Sequence, residues 1–326
     1  MSNLDDDPDE LTCFATPAAG VQVLAPRDVP LGGPRAMTVR RTLPSRERSL
    51  IGAWCFLDHY GPDPVAGPGG SGGMKVPPHP HTGLQTVSWL FTGEIEHRDS
   101  AGHHAMVRPG ELNLMTAGRG ISHSEVSTPA TETLHGAQLW VALPDDARHG
   151  EPGFAHYAPA AVVGAGVEAR VFLGSLLGDT SPVATASPLL GVELCLDPDV
   201  DVVLDVDTTF EHGVLVDTGS VVVAGHRATA NDLVYVPPGN ARLVLHATDG
   251  PSRVLLLGGP PFGESIVMWW NFVGRSHEEV VEARAAWQAQ ITDNGLLDGH
   301  FGMPVDDALA PIPAPEMPHV RLRERR

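Results

Sequence analysis

Glycine and proline interrupt this chain at short intervals. Its 326 residues include 36 glycines and 30 prolines, with neither the strict period of collagen nor the bias of a linker. Long helices do not survive such interruption, whereas short strands joined by tight turns depend on it. Between the breaks stand apolar runs: MTVRRTL, AWCFLDHY, QTVSWLFTG, EIEHRD, ELNLMTAG and HGAQLWVAL. Several are rich in β-branched and aromatic residues, and their spacing predicts an all-β barrel or sandwich. After a linker-like PDDARHGEPGFAHYAPAAV the rhythm resumes with VEARVFLG, LLGVELCLD, VDVVLDVD, GVLVDTGSVVVAG, DLVYVPPG, ARLVLHA and RVLLLGG.

The two β regions also echo each other. Gly110-Glu111-Leu112 precedes Gly118 by the same interval at which Asn231-Asp232-Leu233 precedes Gly239. A turn opens a strand and a glycine-containing turn closes it, which points to a duplicated barrel. The expected organisation is a flexible acidic tail at 1–20, a first barrel at 21–145, a second at 146–275, and a helix with an extended proline-rich tail at 276–326. The glycine-rich stretch between Gly61 and Pro78 is expected to be a long loop. The helix should run from Ser276 to about Asn294, with Ser276 as N-cap and Glu279 completing a capping box. Val280, Val281, Ala283, Trp287 and Ile291 are its candidate apolar stripe.

Charge and cysteine content narrow the setting. Forty acids against 21 bases give a net charge of −19, which disfavours phosphate-driven binding to nucleic acid. No run reaches the roughly 18 apolar residues of a membrane span, and the acidic N-terminus lacks the blocks of a signal peptide. Cys13, Cys55 and Cys195 form no C-x-x-C pair and read as reduced thiols. A soluble, cytoplasmic, monomeric protein is expected.

Chemistry concentrates in the histidines, of which there are 16. His59, His97, His149, His156, His212, His226, His246, His277, His300 and His319 stand singly among turn or solvated residues and read as structural or surface groups. His103 and His104 suit a hairpin turn, and His135 lies close to a strand. His79-Pro80-His81 is different: on a strand, side chains at i and i+2 share a face, so both imidazoles reach one point. His123-Ser124-Glu125 repeats that spacing. On facing strands the two pairs would set three imidazoles and a carboxylate around one cavity, a donor set suited to Fe, Mn, Ni, Cu or Zn. Spacing alone leaves open two unrelated polar pairs beside turns.

The segments WCFLDHYGP, HPHTGLQTVSWLFTGEIEHRDS and RPGELNLMTAGRGISHSE, with LLLGGPPFGESIVMWWNFVGRSHEEV further on, resemble the signatures of the pirin family of cupins. The similarity extends from about Val21 to Ala289. It implies a bicupin of two stacked β-barrels with one transition metal in the first barrel, typically iron, Co being a further option. Carried over by motif position, His79, His81, His123 and Glu125 are the implied ligands. The family includes flavonol ring-opening dioxygenases of the quercetinase type. For those the resemblance implies a small aromatic substrate, O2, and Glu125 as the catalytic base. It also includes non-enzymatic, iron-dependent regulators that act through a transcription factor or metabolic enzyme; a metal-bound protein with vestigial catalysis is a third reading. For this acidic chain, contact with DNA would then come only through a protein partner.

One position departs from the pattern. Many cupins carry a glutamate four residues after the second histidine, where this chain has Gln85. An amide cannot serve as a general base, but Gln85 could support the site by hydrogen bonding. Trp89, Phe56, Met115 and Leu114 are candidates for an apolar wall, and Arg119 for an anion anchor or a loop pin. In the second repeat, Val244 and His246 align with His123 and Glu125, and no H-x-H precedes Gly219. That copy should be structural and metal-free.

Overall fold

The computed structural model describes residues 20–31, 37–65, 70, 72–292 and 299–325. The expected acidic tail, apart from Gly20, and Cys13 lie outside them. The turn-and-strand rhythm folds into two barrels of matching construction, each a seven-stranded sheet packed on a four-stranded one. In the first, the large sheet runs in the order Gly153–Tyr157, Leu112–Thr116, Leu84–Thr92, Thr133–Ala142, Trp54–Pro64, Met37–Leu43, Arg27–Leu31. Its small sheet is Lys75–His81, Ile121–Ser127, Ile95–Asp99, His104–Val107. The second barrel repeats this with Gln22–Leu24, Leu233–Val236, Glu211–Thr218, Ser252–Gly259, Leu190–Leu196, Val167–Leu173, Val162–Gly164. Its small sheet is Asp201–Asp205, Arg242–Ala247, Ser220–Val223, His226–Thr229. Leu112–Thr116 and Leu233–Val236, the strands of the two echoed turns, hold the same place in their sheets.

The sheets do not divide at the expected 145/146 boundary. Gln22–Leu24 pairs with Leu233–Val236 in the second barrel, and Gly153–Tyr157 pairs with Leu112–Thr116 in the first. Each barrel thus has an edge covered by a segment from the other half's span, which satisfies backbone groups an open edge would leave exposed. The expected loop after Gly61 is shorter than predicted, because Trp54–Pro64 and Lys75–His81 extend into both its ends.

The large sheets face each other across one apolar cluster, with Trp89, Leu112 and Leu139 from the first barrel against Phe172, Leu215 and Leu255 from the second. Trp89 stacks on Phe172 with ring centroids 4.4 Å apart, and its indole N–H donates to Glu193 Oε2 at 2.7 Å. Trp89 and Leu114 therefore belong to the join between barrels and not to a wall around His79 and His81. The cause is period two: on Leu84–Thr92 the odd-numbered side chains face the second barrel and the even-numbered ones face inward.

The helix runs His277–Thr292. Ser276 Oγ accepts from the Glu279 N–H at 3.2 Å, while Glu279 Oε2 accepts from the Arg275 N–H at 2.9 Å, a capping box displaced by one residue. Val280, Trp287 and Gln290 are its buried residues, and Val281 is exposed, so it stands outside the expected stripe. The chain beyond the helix is less superficial than expected. Phe301, Ala314 and Leu322 are buried, and the Ile312 N–H donates to Pro78 O. Among the described residues no helix is long and apolar enough to cross a membrane.

Candidate metal centre

The small sheet of the first barrel brings the two i, i+2 pairs together. In the antiparallel pairing of Ile121–Ser127 with Lys75–His81, His123 stands opposite His79, with a bulge between His123 and Glu125. On its other side the same strand sets His123 opposite Asp99 and Glu125 opposite His97. Three strands thus aim one polar band into the barrel. His79, His81 and His123 are fully buried and Glu125 is 1% exposed. One nitrogen from each of the three histidines falls in a group spanning at most 4.8 Å, and Glu125 joins His123 and His97 in a second group of the same size.

Proton placement decides what such a cluster can do. His79 Nδ1 lies 2.8 Å from Pro77 O and His81 Nδ1 lies 3.0 Å from Asn271 O. A carbonyl only accepts, so both Nδ1 atoms carry the proton and both Nε2 atoms are bare. His79 Nε2 is buried with no hydrogen-bond partner, and His81 Nε2 faces His123 Nε2 at 3.1 Å. Burial lowers the pKa of His79 to about 4 and holds His81 and His123 well below the ordinary value. His79 and His81, neutral with inward lone pairs and ring protons fixed on carbonyls, are in the form a metal requires, and the donor set fits a transition metal.

The surroundings are aromatic on one side and polar on the other. His81 meets the edge of Trp140 at 5.1 Å, Trp140 stacks on Phe56 at 4.1 Å, and Arg41 lies over Phe56 at 4.4 Å while its guanidinium grips Asp58 through bonds of 2.7 and 2.8 Å. Phe56 and Met115 share this apolar cluster with Trp140, as expected of a wall. Ser88 Oγ sits 3.2 Å from Glu125 Oε1 and 2.9 Å from Gln138 Oε1. One hydroxyl proton serves one acceptor at a time, so Ser88 divides its donation between Gln138 Oε1, the nearer, and Glu125 Oε1.

Other expectations are corrected. Gln85 faces away from Ser88 and donates to Thr116 Oγ1 at 2.8 Å, so it gives the band no direct support. Arg119 pairs with Glu151 on the surface and its carbonyl accepts from His300, which makes it a loop pin. His59, His97 and His212 are buried, not solvated. In the second barrel Val244 is exposed, and His246 turns outward to Asp201 at 2.7 Å. The inward positions there are Leu243 and Leu245, packed with Val202, Leu204, Val221 and Val223. The sequence alignment of the repeats was thus off by one residue, and one residue reverses the face. His97 and Ser88 were missed. In Ile95–Asp99 the burial alternates with Ile95, His97 and Asp99 inside, a period-two signal visible in IEHRD.

A duplicated β-barrel with a buried histidine and carboxylate band in its first half defines a bicupin of metal-site type. Residues 36–141 match the family model Pirin and residues 191–292 that of the Pirin C-terminal cupin domain. The chain is 44% identical over 86% of its length, and 88% of the other's, to a Pseudomonas aeruginosa protein provisionally named a quercetin 2,3-dioxygenase. It is 36% identical to a pirin-like protein of Caulobacter vibrioides over 85% of its own length and 94% of that protein's. A crystal structure of quercetin 2,3-dioxygenase from Acinetobacter baumannii superposes with a TM-score of 0.83 at 39% identity, covering 93% of this chain and 98% of that one. This chain belongs to the pirin family.

Proposed function

We propose that this pirin is a metal-dependent dioxygenase of flavonol-type substrates, with one transition metal per chain, iron in the first instance, held by His79, His81, His123 and Glu125. The observation that carries the metal is the convergence of three imidazoles inside a closed barrel, with the bare Nε2 atoms of His79 and His81 buried and His81 Nε2 only 3.1 Å from His123 Nε2. Likeness to quercetin 2,3-dioxygenases supports the substrate class and the use of O2. Bound there, iron supplies the Lewis acidity and redox chemistry of such a reaction. The chain's own part is to hold and dehydrate the site. Asn271 and Pro77 fix the imidazole protons, Trp140 and Phe56 exclude water, and Glu125, steadied by Ser88, takes the proton of the flavonol hydroxyl.

The deciding measurement is oxygen uptake by iron-reloaded protein with quercetin and related flavonols. Wild type should consume O2, and Glu125→Gln reloaded with saturating iron should not, because an amide cannot take the proton. Wild-type turnover in that variant would remove Glu125 from the role of base.

Burial favours a second reading. The four proposed ligands are at most 1% exposed, and a neighbouring surface cavity of about 450 Å³ reaches Thr82 and Gly83 but none of the four. A centre closed to a flavonol suits a metal-dependent regulator acting through a protein partner. Metal retention without oxygen uptake on any flavonol would move that reading ahead.

A further inference from the structure

We propose that His97 is a positioning residue for the proposed ligand His123, accepting the His123 Nδ1 proton while Asp99 fixes the tautomer that lets it do so. The inference rests on the metal reading above. Across the pairing of Ile95–Asp99 with Ile121–Ser127, Glu125 stands opposite His97 and His123 opposite Asp99. All four side chains therefore leave the sheet on the same face. His97 is 3% exposed. Its Nδ1 lies 3.4 Å from His123 Nδ1, and its Nε2 lies 3.4 Å from Asp99 Oδ2; both are at the long end of hydrogen-bond range.

With a metal held at His123 Nε2, the facing Nδ1 atoms of His123 and His97 need one proton between them. His123 can offer Nε2 to a metal only if its own proton sits on Nδ1, so His123 is the donor and His97 Nδ1 the acceptor. His97 then carries its proton on Nε2, the atom that faces Asp99. Asp99 is itself well fixed: Oδ1 accepts from the Ala101 and His103 backbone N–H groups at 2.9 and 3.0 Å, and His103 Nδ1 lies 3.0 Å from Oδ2. Phe154 packs on both rings, 4.9 Å from His97 and 5.4 Å from His103. The chain His123–His97–Asp99–His103 leads from the buried cluster to a partly exposed ring. It is longer by one imidazole than the usual carboxylate–histidine–metal arrangement, and partners of this kind commonly hold 10- to 100-fold in metal affinity.

Two measurements on the full chain test this. In Zn(II)-loaded protein with 15N-labelled histidine, His123 should be protonated at Nδ1, and His97 should be the Nε2–H tautomer with a bare Nδ1. Co(II) affinity, from chelator competition, should fall roughly 10- to 100-fold in His97→Leu. His97→Asn should retain most of it, because its Oδ1 stands where the imidazole Nδ1 stood and still accepts. Equal losses in both variants would reduce His97 to packing and overturn the inference, as would unchanged affinity in His97→Leu. A metal-shifted His97 signal would make it a ligand and overturn the inference too. A wild type that takes up neither Co(II) nor Zn(II) would overturn the metal reading, and this inference with it, whereas the variant outcomes overturn the inference alone.

Discussion

Among the described residues, a histidine and carboxylate cluster in the first barrel and another at the join between barrels are built to opposite ends. In the first barrel, His79 and His81 keep their Nε2 atoms bare while their Nδ1 protons go outward to backbone carbonyls. At the join between barrels, His59 and His135 from the first meet Asp217 from the second, with ligand atoms also within 4.8 Å of one another. There the carboxylate is already taken. Asp217 Oδ1 lies 2.7 Å from His59 Nε2 and 2.6 Å from His135 Nε2, the latter poorly aligned for a hydrogen bond. Asp217 Oδ2 accepts from Arg253 Nε at 2.7 Å, and His59 Nδ1 faces Asn231 Oδ1 at 2.9 Å. A cation entering this second cluster would displace a hydrogen-bonded arginine and sit against its charge. Similar residues within similar radii thus make a candidate metal centre in one place and an interdomain latch in the other. What separates them is where the protons point and whether a fixed cation is already present.

The largest effect should come from exchanging damage between the clusters. Asp217→Ala leaves two buried imidazoles and Arg253 without their anion, and should cost about 3–5 kcal/mol of stability in urea unfolding of metal-free protein. Metal content per folded chain should stay at one equivalent. His123→Ala should do the reverse, with metal content falling to near zero by elemental analysis and a smaller loss of metal-free stability. If Asp217→Ala releases the metal, or His123→Ala retains it, the assignment of the two clusters is wrong.

Acid should act on the latch region before it reaches the latch carboxylate. Burial pushes the Asp217 pKa up, but the close approach of the His135 and His59 ring nitrogens outweighs it and holds the value well below the usual carboxylate range. That contribution is present above the unfolded value near 4 and is lost only at lower pH. Two buried histidines respond earlier, His59 in the latch and His212 at the far end of the strand that carries Asp217. Burial lowers the pKa of His59, and lowers that of His212 to about 4. Between about 6.5 and 4 the unfolded chain binds protons that the folded chain refuses, so stability falls as pH falls. At pH 5 the His212 share is about 2 kcal/mol relative to pH 7.5. His212→Asn should therefore lose about that much less than wild type over the same interval. Equal losses in the two proteins would place the acid sensitivity elsewhere.

The contrast also shows what a sequence can carry. Strand rhythm, the repeated barrel and the capped helix were legible because each is written in local period or turn chemistry. The i, i+2 spacing fixes a common face within His79/His81 and within His123/Glu125, but that the two pairs meet comes only from the family resemblance. His97 is legible through the Ile95, His97, Asp99 alternation, though not as a histidine taken singly. The latch was not legible, because His59 and Asp217 are separated by 158 residues and meet only through the stacking of two sheets. The exchange of edge strands was hidden for the same reason. Gln85 and Val244 mark the sensitivity of a period-two code, in which a position on the wrong parity faces the wrong way.

The smallest effect concerns the link between Ser88 and Glu125, which has no counterpart at Asp217, where an arginine orients the carboxylate. Ser88 is 3% exposed, and its hydroxyl is 3.2 Å from Glu125 Oε1. A hydrogen bond of this kind contributes about 1 kcal/mol net, so Ser88→Ala should weaken Co(II) affinity about fivefold while leaving the stoichiometry at one. The same variant should leave the effect of Asp217→Ala on stability unchanged, because the two sites share no partner and distant effects add. Affinity equal to wild type would mean that Glu125 is not held for the metal by Ser88. A loss beyond a hundredfold would place Ser88 against the ion itself, and the donor set of the first cluster would need to be redrawn.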